Sequence, residues 1–249
     1  MFTRLPLLAA CCAASLSLPT GARCEPLPGQ EKSTETRVLE AGARALQRSA
    51  PLGPMDIYLV GFHPMKEAPS HQMEAHHFCH QMNEDFAQCV LFDANTPEAR
   101  LVGIEYIVSE SLYAKLPAAE RAYWHPHNGE ILSGQLVAPG IPLAAEKALM
   151  RKKMNSYGKT WHVWNTPADA LPIGPPMLAW SFNRDGELDP ALLLQRDARL
   201  TMRSDERRRQ RSDLLPLAKP QGGVDALKDA FRGSTPIPGV ADSGASAPR

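Results

Sequence analysis

The hydrophobic pattern along this chain changes period several times. From Thr36 to Gln47, Val38, Leu39, Ala41, Gly42, Ala45 and Leu46 recur at helical spacing and predict a first helix after a polar, loose stretch over 25–36. It stops before Pro51-Leu52-Gly53-Pro54, a strong breaker. Asp56 to His63 (DIYLVGFH) has the β-branched and aromatic content of a short strand, and Pro64 to Ser70 reads as a loop. If Glu74 to His80 is extended, His76, Phe78 and His80 point to one side while His77 and Cys79 point to the other. Asn83-Glu84-Asp85 makes a turn, after which Ala87 to Asp93 resumes as a strand. In such a hairpin Cys79 and Cys89 fall opposite each other, at a separation suited to a disulfide. Two buried, unpaired thiols are the alternative.

Asn95, Thr96 and Pro97 mark a second turn. Ala99 to Ser109 (ARLVGIEYIVS) is the best strand pattern in the chain. Val102, Ile104, Tyr106 and Val108 fill one face and Leu101, Gly103, Glu105 and Ile107 the other, which predicts a central strand covered on both sides. Glu105, buried there, must find a cation, a donor or a proton. Ser109 or Ser111 caps a helix from about Leu112 to Trp124, kinked or split at Pro117. The His125/His127 segment leads into an expected strand from Glu130 to Val137. Leu143 to Ser156 is an amphipathic helix stopped by Tyr157-Gly158, Lys159 to Trp164 a strand, and Met177 to Phe182 a last strand after a proline-rich connection. Leu188 to about Arg211 is helical in pattern with Asp189-Pro190 at its start. Its five arginines over 203–211 read as a solvated face. Proline, glycine, alanine and serine dominate from Leu214, so 206–249 is expected to be a disordered tail. The fold class is α+β, a mainly antiparallel sheet with flanking helices in a single domain over 51–205.

Length and charge narrow the function. The chain has 249 residues, enough for one good core, and 27 basic side chains balance 27 acidic ones. Nothing in that balance recruits nucleic acid, which would need a basic groove with interleaved aromatics. Residues 1–24 read as a secretory signal peptide: Arg4, then an uncharged apolar run from Leu5 to Leu18, then Pro19 and small residues. The expected location is secreted or periplasmic, with no transmembrane segment once the signal is removed. Leu8-Ala9-Ala10-Cys11 resembles a lipoprotein cleavage box but sits too early in the apolar run. Cys11 and Cys12 leave with the signal and Cys24 lies at the cut. Cys79 and Cys89 remain, an even pair in an oxidising compartment.

Two clusters carry candidate chemistry. MEAHHFCHQMNEDFAQC packs His76, His77 and His80 beside both internal cysteines, and WHPHNGE adds His125, His127 and Glu130. Imidazoles and carboxylates are the common ligands of zinc, iron and manganese, and a site needs three or four converging. The candidate metal ligands are therefore His76, His77, Glu105, His125, His127 and Glu130, holding one divalent transition metal. His80 and His162 are expected behind them, orienting ligands by hydrogen bonds. His125-Pro126-His127 with Glu130 resembles the HxH…E cluster of cupin metal sites, at a spacing one or two residues short. The alternative is a set of hydrogen-bonded core histidines. There is no HExxH, no CxxC and no GxSxG, and Tyr157-Gly158-Lys159-Thr160 lacks the earlier glycine of a phosphate loop.

Several of these stretches occur together, in order, in one family. HHFC at 76–79, QCVLFD at 88–93, ARLVGIEYIVS at 99–109, WHPHNGEILSG at 124–134, YGKTWHVW at 157–164 and LPIGPPML at 171–178 resemble the oil body-associated proteins over roughly residues 50–205. That family is best known from plant seeds and has bacterial and fungal relatives. The resemblance implies a link to oil bodies and their stability but no established reaction. It matches the family pattern at His76, His77, Cys79, Glu105, His125, His127 and His162. The export signal is a departure, and it makes this chain an exported, bacterial member by expectation. Two functions follow: a protein with a His/Glu metal site, or a non-enzymatic protein that binds an apolar small molecule or a lipid surface.

Overall fold

The computed structural model describes residues 28–47 and 50–244, so the expected signal peptide and Cys11, Cys12 and Cys24 lie outside the described residues. Helix α1 (Thr34–Leu46) comes first, its Ser33 hydroxyl capping Thr36 N at 3.1 Å, and it buries none of its residues. Four strands then run as a meander: β1 (Ile57–Met65), β2 (Ala68–Asn83), β3 (Phe86–Phe92) and β4 (Leu101–Val108). The expected helix after β4 is split at Pro117 into α2 (Glu110–Tyr113) and α3 (Ala118–Arg121). There follow β5 (His125–Pro126), α4 (Asn128–Ser133), α5 (Leu143–Lys153), β6 (Tyr157–His162) and β7 (Met177–Leu178). Two further helices, α6 (Pro190–Arg199) and α7 (Ser204–Gln210), pack outside the sheet.

All pairings in the main sheet are antiparallel, in the order β1-β2-β3-β4-β6-β5, with β7 on β6. The sheet curls until its ends meet. Lys66 N donates to Leu178 O and Trp180 N to Pro64 O, each at 2.8 Å, closing β1 against the segment that continues β7. Closure creates an inside, and strand alternation decides what faces it. The register aligns Leu59 with His77, Cys79 with Cys89, Cys89 with Glu105, and Glu105 with Thr160, so these side chains share the interior face. Cys79 and Cys89 form a disulfide there.

The outer face of β4 is less covered than its apolar pattern suggests. Ile104 and Tyr106 are 40% and 38% exposed, whereas Val102 and Val108 are buried. Val108 packs with Trp124 and with Leu112 and Tyr113 of α2, while the middle of the face is left to solvent.

Several elements differ from expectation, each for a local reason. The segment 130–137 is a helix at its start, not a strand. Gly134 ends α4 at φ 81°, a left-handed cap that a Cβ would drive to 2.3 Å from Ser204 O. The same segment then bends so that Val137 pairs with Val60. Helix α5 stops at Asn155, with φ 65°, rather than at Tyr157-Gly158, which belong to β6. Asn155 N donates to Asn128 Oδ1 at 2.8 Å, fixing that left-handed residue. The long C-terminal helix is broken between α6 and α7, where Thr201 has φ 50°.

The arginines over 203–211 are not all solvated. Arg211 is 2% exposed and donates at 2.8 Å to both Ile131 O and Leu136 O and at 2.7 Å to Glu146 Oε1. It is the donor for Leu136 O in the bend after α4 and adds a second donor to Ile131 O, which also accepts from Gly134 N at 3.3 Å. The expected tail is likewise laid onto the core through residue 244. Leu214, Val224, Leu227 and Ile237 are buried, and Gln221 accepts from Asn128 N while donating to Ser156 O. A few apolar residues at wide spacing, each reaching the core, are enough to order a segment whose average composition signals loose chain.

Candidate metal centre

The interior of the closed sheet is polar at its middle. Glu105 from β4 stands there, 3% exposed, among imidazoles from three other elements. His77 Nε2 lies 3.1 Å from Oε2, while His125 Nε2 and His127 Nε2 lie 3.4 and 3.3 Å from Oε1. His63 from β1 joins through His162 of β6, ring nitrogen to ring nitrogen at 3.0 Å. Two groups offer one ligand atom per residue within 4.8 Å of one another: His63, Glu105 and His125, and His125, His127 and Glu130. A neighbouring void of about 20 Å³, the room of one water molecule, touches His63, His77, Glu105, His127 and Glu130.

The space at the centre is kept by a glycine. A Cβ on Gly158 would sit 2.2 Å from Glu105 Oε1 and 2.6 Å from Nε2 of both His125 and His127. The three donor atoms thus converge over a residue with no side chain. Zinc–nitrogen and zinc–oxygen bonds run at about 2.0–2.2 Å, so donors disposed in this way suit an ion.

Hydrogen bonding fixes the state of His127. The Ser156 hydroxyl donates its one proton to Lys153 O at 2.7 Å, so towards His127 Nδ1, 2.8 Å away, it accepts. Nδ1 therefore carries the ring proton and Nε2 is a bare lone pair. That lone pair faces a carboxylate oxygen at 3.3 Å. A hydrogen bond across this gap would need a doubly protonated ring, and burial opposes it, pulling His127 down to about 4. Burial by itself would raise the Glu105 carboxyl, but the imidazoles of His125 and His77 against it outweigh burial and hold Glu105 well below the usual range. Two acceptors face each other, an arrangement that a cation between them would resolve.

The remaining groups follow the same physics. Burial, then the positive potential of neighbouring imidazoles, lowers His63 strongly and His162 to about 3. Burial, then Glu105, raises Glu130 well above an ordinary carboxyl. Both His125 nitrogens, His77 Nδ1, His162 Nδ1 and Thr160 Oγ1 are buried without a hydrogen-bond partner among the described residues. Neutral imidazoles beside an ionised carboxylate are the protonation states that metal ligation requires.

A pH dependence follows for metal-stripped protein. His63, His127 and His162 take up a proton near pH 6.5 when unfolded but stay neutral in the fold, so the unfolded state binds more protons and stability is lost as pH is lowered. Glu130 has the opposite sign in this window, and Glu105 acts only below it. With three groups against one, urea melts should show a loss of about 2 kcal/mol per pH unit between roughly pH 6.5 and 5. A flat profile would contradict neutral buried imidazoles.

The structure brings together His77, Glu105, His125, His127 and Glu130, with His162 bonded behind His63. His76 lies on the outer face of β2. Its Nδ1 is 2.7 Å from the Tyr58 hydroxyl and its Nε2 is 3.2 Å from Glu74, which also pairs with Arg199. His80, on that same outer face, pairs in register with Gln88 away from the cluster. Sequence reasoning missed His63, Ser156 and Gly158. Alternation along DIYLVGFH would have placed His63 on the face of Leu59 and Gly61, but one histidine at a strand end carries no signal of its own.

Residues 49–215 match the family described as "Protein of unknown function (DUF1264)". The chain is 41% identical over 163 residues to oil body-associated protein 1A of Zea mays, covering 65% of this chain and 68% of that protein. It is 35% identical over 202 residues to oil body-associated protein 1B of Arabidopsis thaliana, covering 81% and 83%. With oil body-associated protein 2A of Arabidopsis thaliana the identity is 38% over 173 residues, covering 68% and 70%. No solved structure matches the chain. Among the described residues no helix is long and apolar enough to cross a membrane. Matched over two thirds of its length by one family and its plant relatives, this chain belongs to the oil body-associated protein family.

Proposed function

We propose that this chain is an exported protein holding one divalent transition metal (zinc, iron or manganese) at Glu105, His125 and His127, with His77 and Glu130 beside it. The observation that carries the reading is the bare His127 Nε2 facing the Glu105 carboxylate over the empty side of Gly158. A bound ion would supply Lewis acidity towards an oxygen ligand. The chain's own part is to orient His127 through Ser156, to keep the centre dry with Leu59, Ile107 and Leu136, and to keep Glu130 close by. The Cys79–Cys89 bridge supports export, because such bonds persist in oxidising compartments.

Elemental analysis of untagged protein from the exported fraction tests this. Near-stoichiometric metal is expected in the parent and its loss in a His125→Ala/His127→Ala variant. Absence of metal from both, with the variant folded by circular dichroism, would sink the metal reading. The function left standing would be apolar-ligand or lipid-surface binding. It rests on α1, whose Val38 and Leu39 are 65% and 66% exposed, and on relatives whose names associate them with oil bodies.

A further inference from the structure

The centre is buried, and one end of the closed sheet carries a route towards it. A surface vestibule of about 280 Å³ opens between the β2–β3 turn, the end of β4 and the end of α5. The inner void against Glu105 and His127 lies next to it. Both are lined by Ile107 and Lys153, so these two side chains are the wall between them. Ile107 is a fixed strand residue. Lys153 is the last residue of α5, on a flexible stem, and its ammonium is tied to Gln81 Oε1 at 2.6 Å.

Charge around the vestibule distinguishes Lys153 from its neighbours. Glu84 faces Lys152 at 3.4 Å, Glu110 pairs with Lys219 at 2.6 Å, and Asp85 accepts from the Ser111 hydroxyl at 3.3 Å. Lys153 is bonded to a neutral amide and makes no ion pair with any described carboxylate. Burial pulls the Lys153 ammonium down, and the Glu105 carboxylate behind the wall is the largest charge acting the other way, so this cation at the inner end of the vestibule answers to the centre and not to a surface acid. Ser156, which holds His127, donates to the Lys153 carbonyl, so the backbone here is fixed and the stem is the movable part.

We infer that Lys153 guards the passage to the metal centre and selects small anions, a carboxylate or an inorganic anion, as the exogenous ligand of the bound ion. The inference rests on the metal reading above. Swinging the stem away from Gln81 joins the two spaces, and the ammonium then covers the charge of an anion that reaches the ion. A neutral ligand gains only a hydrogen bond from that placement and a cationic one is repelled, and the inner walls of Leu59, Ile107 and Leu136 favour a small one.

The test uses the full chain loaded with cobalt(II), which accepts the same nitrogen and oxygen ligands and reports them in its visible spectrum. Azide is the probe. Saturable spectral change is expected in the parent, with affinity roughly ten-fold weaker in Lys153→Met and near parental in Lys153→Arg. Cobalt bound stoichiometrically in all three, with azide silent in the parent or equally strong in Lys153→Met, overturns the role of Lys153 and leaves the metal site standing. Failure of the parent to hold cobalt overturns both.

Discussion

Gly158→Ala is expected to abolish metal binding and to destabilise the protein by about 3 kcal/mol, a cost in the upper range of overpacking a core. The new Cβ would stand 2.2 Å from Glu105 Oε1 and 2.6 Å from two imidazole nitrogens, all buried atoms on rigid elements. All three are side-chain ends, so making room for the methyl means moving the cluster itself. Either Glu105 turns out of the cluster, stranding a charge, or β4 and β6 separate across their pairing of Ile107 with Gly158. The control is Gly42→Ala on exposed α1, where nothing lies within 4 Å of the added methyl and helix propensity improves. Elemental analysis and thermal melts on both variants decide the matter. Parental metal content in Gly158→Ala would remove the convergence of donors over this residue as an argument for an ion.

Arg211→Ala should cost about 3–5 kcal/mol, the range for breaking a buried ion pair by removing one partner. Arg211 is the donor for two main-chain carbonyls and for Glu146. Glu146 keeps Arg207 at 3.0 Å, but Ile131 O and Leu136 O lose this donor. Because Ile131 lies in α4, which begins just after His127, the damage should reach the centre and weaken metal retention. Arg209→Ala, whose partner Asp205 sits in solvent, should stay within about 0.5 kcal/mol of the parent. Chemical denaturation of the two variants separates them. Equal stabilities would show that the buried guanidinium is not what holds the bend after α4.

The sheet was legible in the sequence where alternation was strong. The β2–β3 hairpin, the placement of His77 with Cys79, and the opposition of Cys79 and Cys89 follow from a period of two and one turn. Glu105 was conspicuous because a carboxylate in an apolar strand demands an explanation. What could not be read was closure. Whether His76 or His77 faces the inside depends on which way the sheet curls, and both faces of β2 carry histidines. Closure is decided by the pairing of residues 64–66 with 178–180, for which no local pattern exists. The role of Gly158 was hidden because a glycine beside a helix end reads first as a stop signal. The ordering of 212–244 was hidden because it depends on a few wide-spaced residues finding a surface built by the rest of the chain.

That closure also sets an order of events during folding. The strands from β1 to β4 need only short turns to pair, whereas the seam joins segments far apart in sequence and carries a large loop-closure cost. His63 sits beside the seam, and His162 immediately precedes the connection to β7. A nascent chain can therefore hold the hairpins, with Cys79 beside Cys89, before the last imidazoles come within reach of Glu105. If the centre holds an ion as proposed, its uptake is expected to mark completion of the ring, later than the appearance of strand signal in a stopped-flow refolding trace.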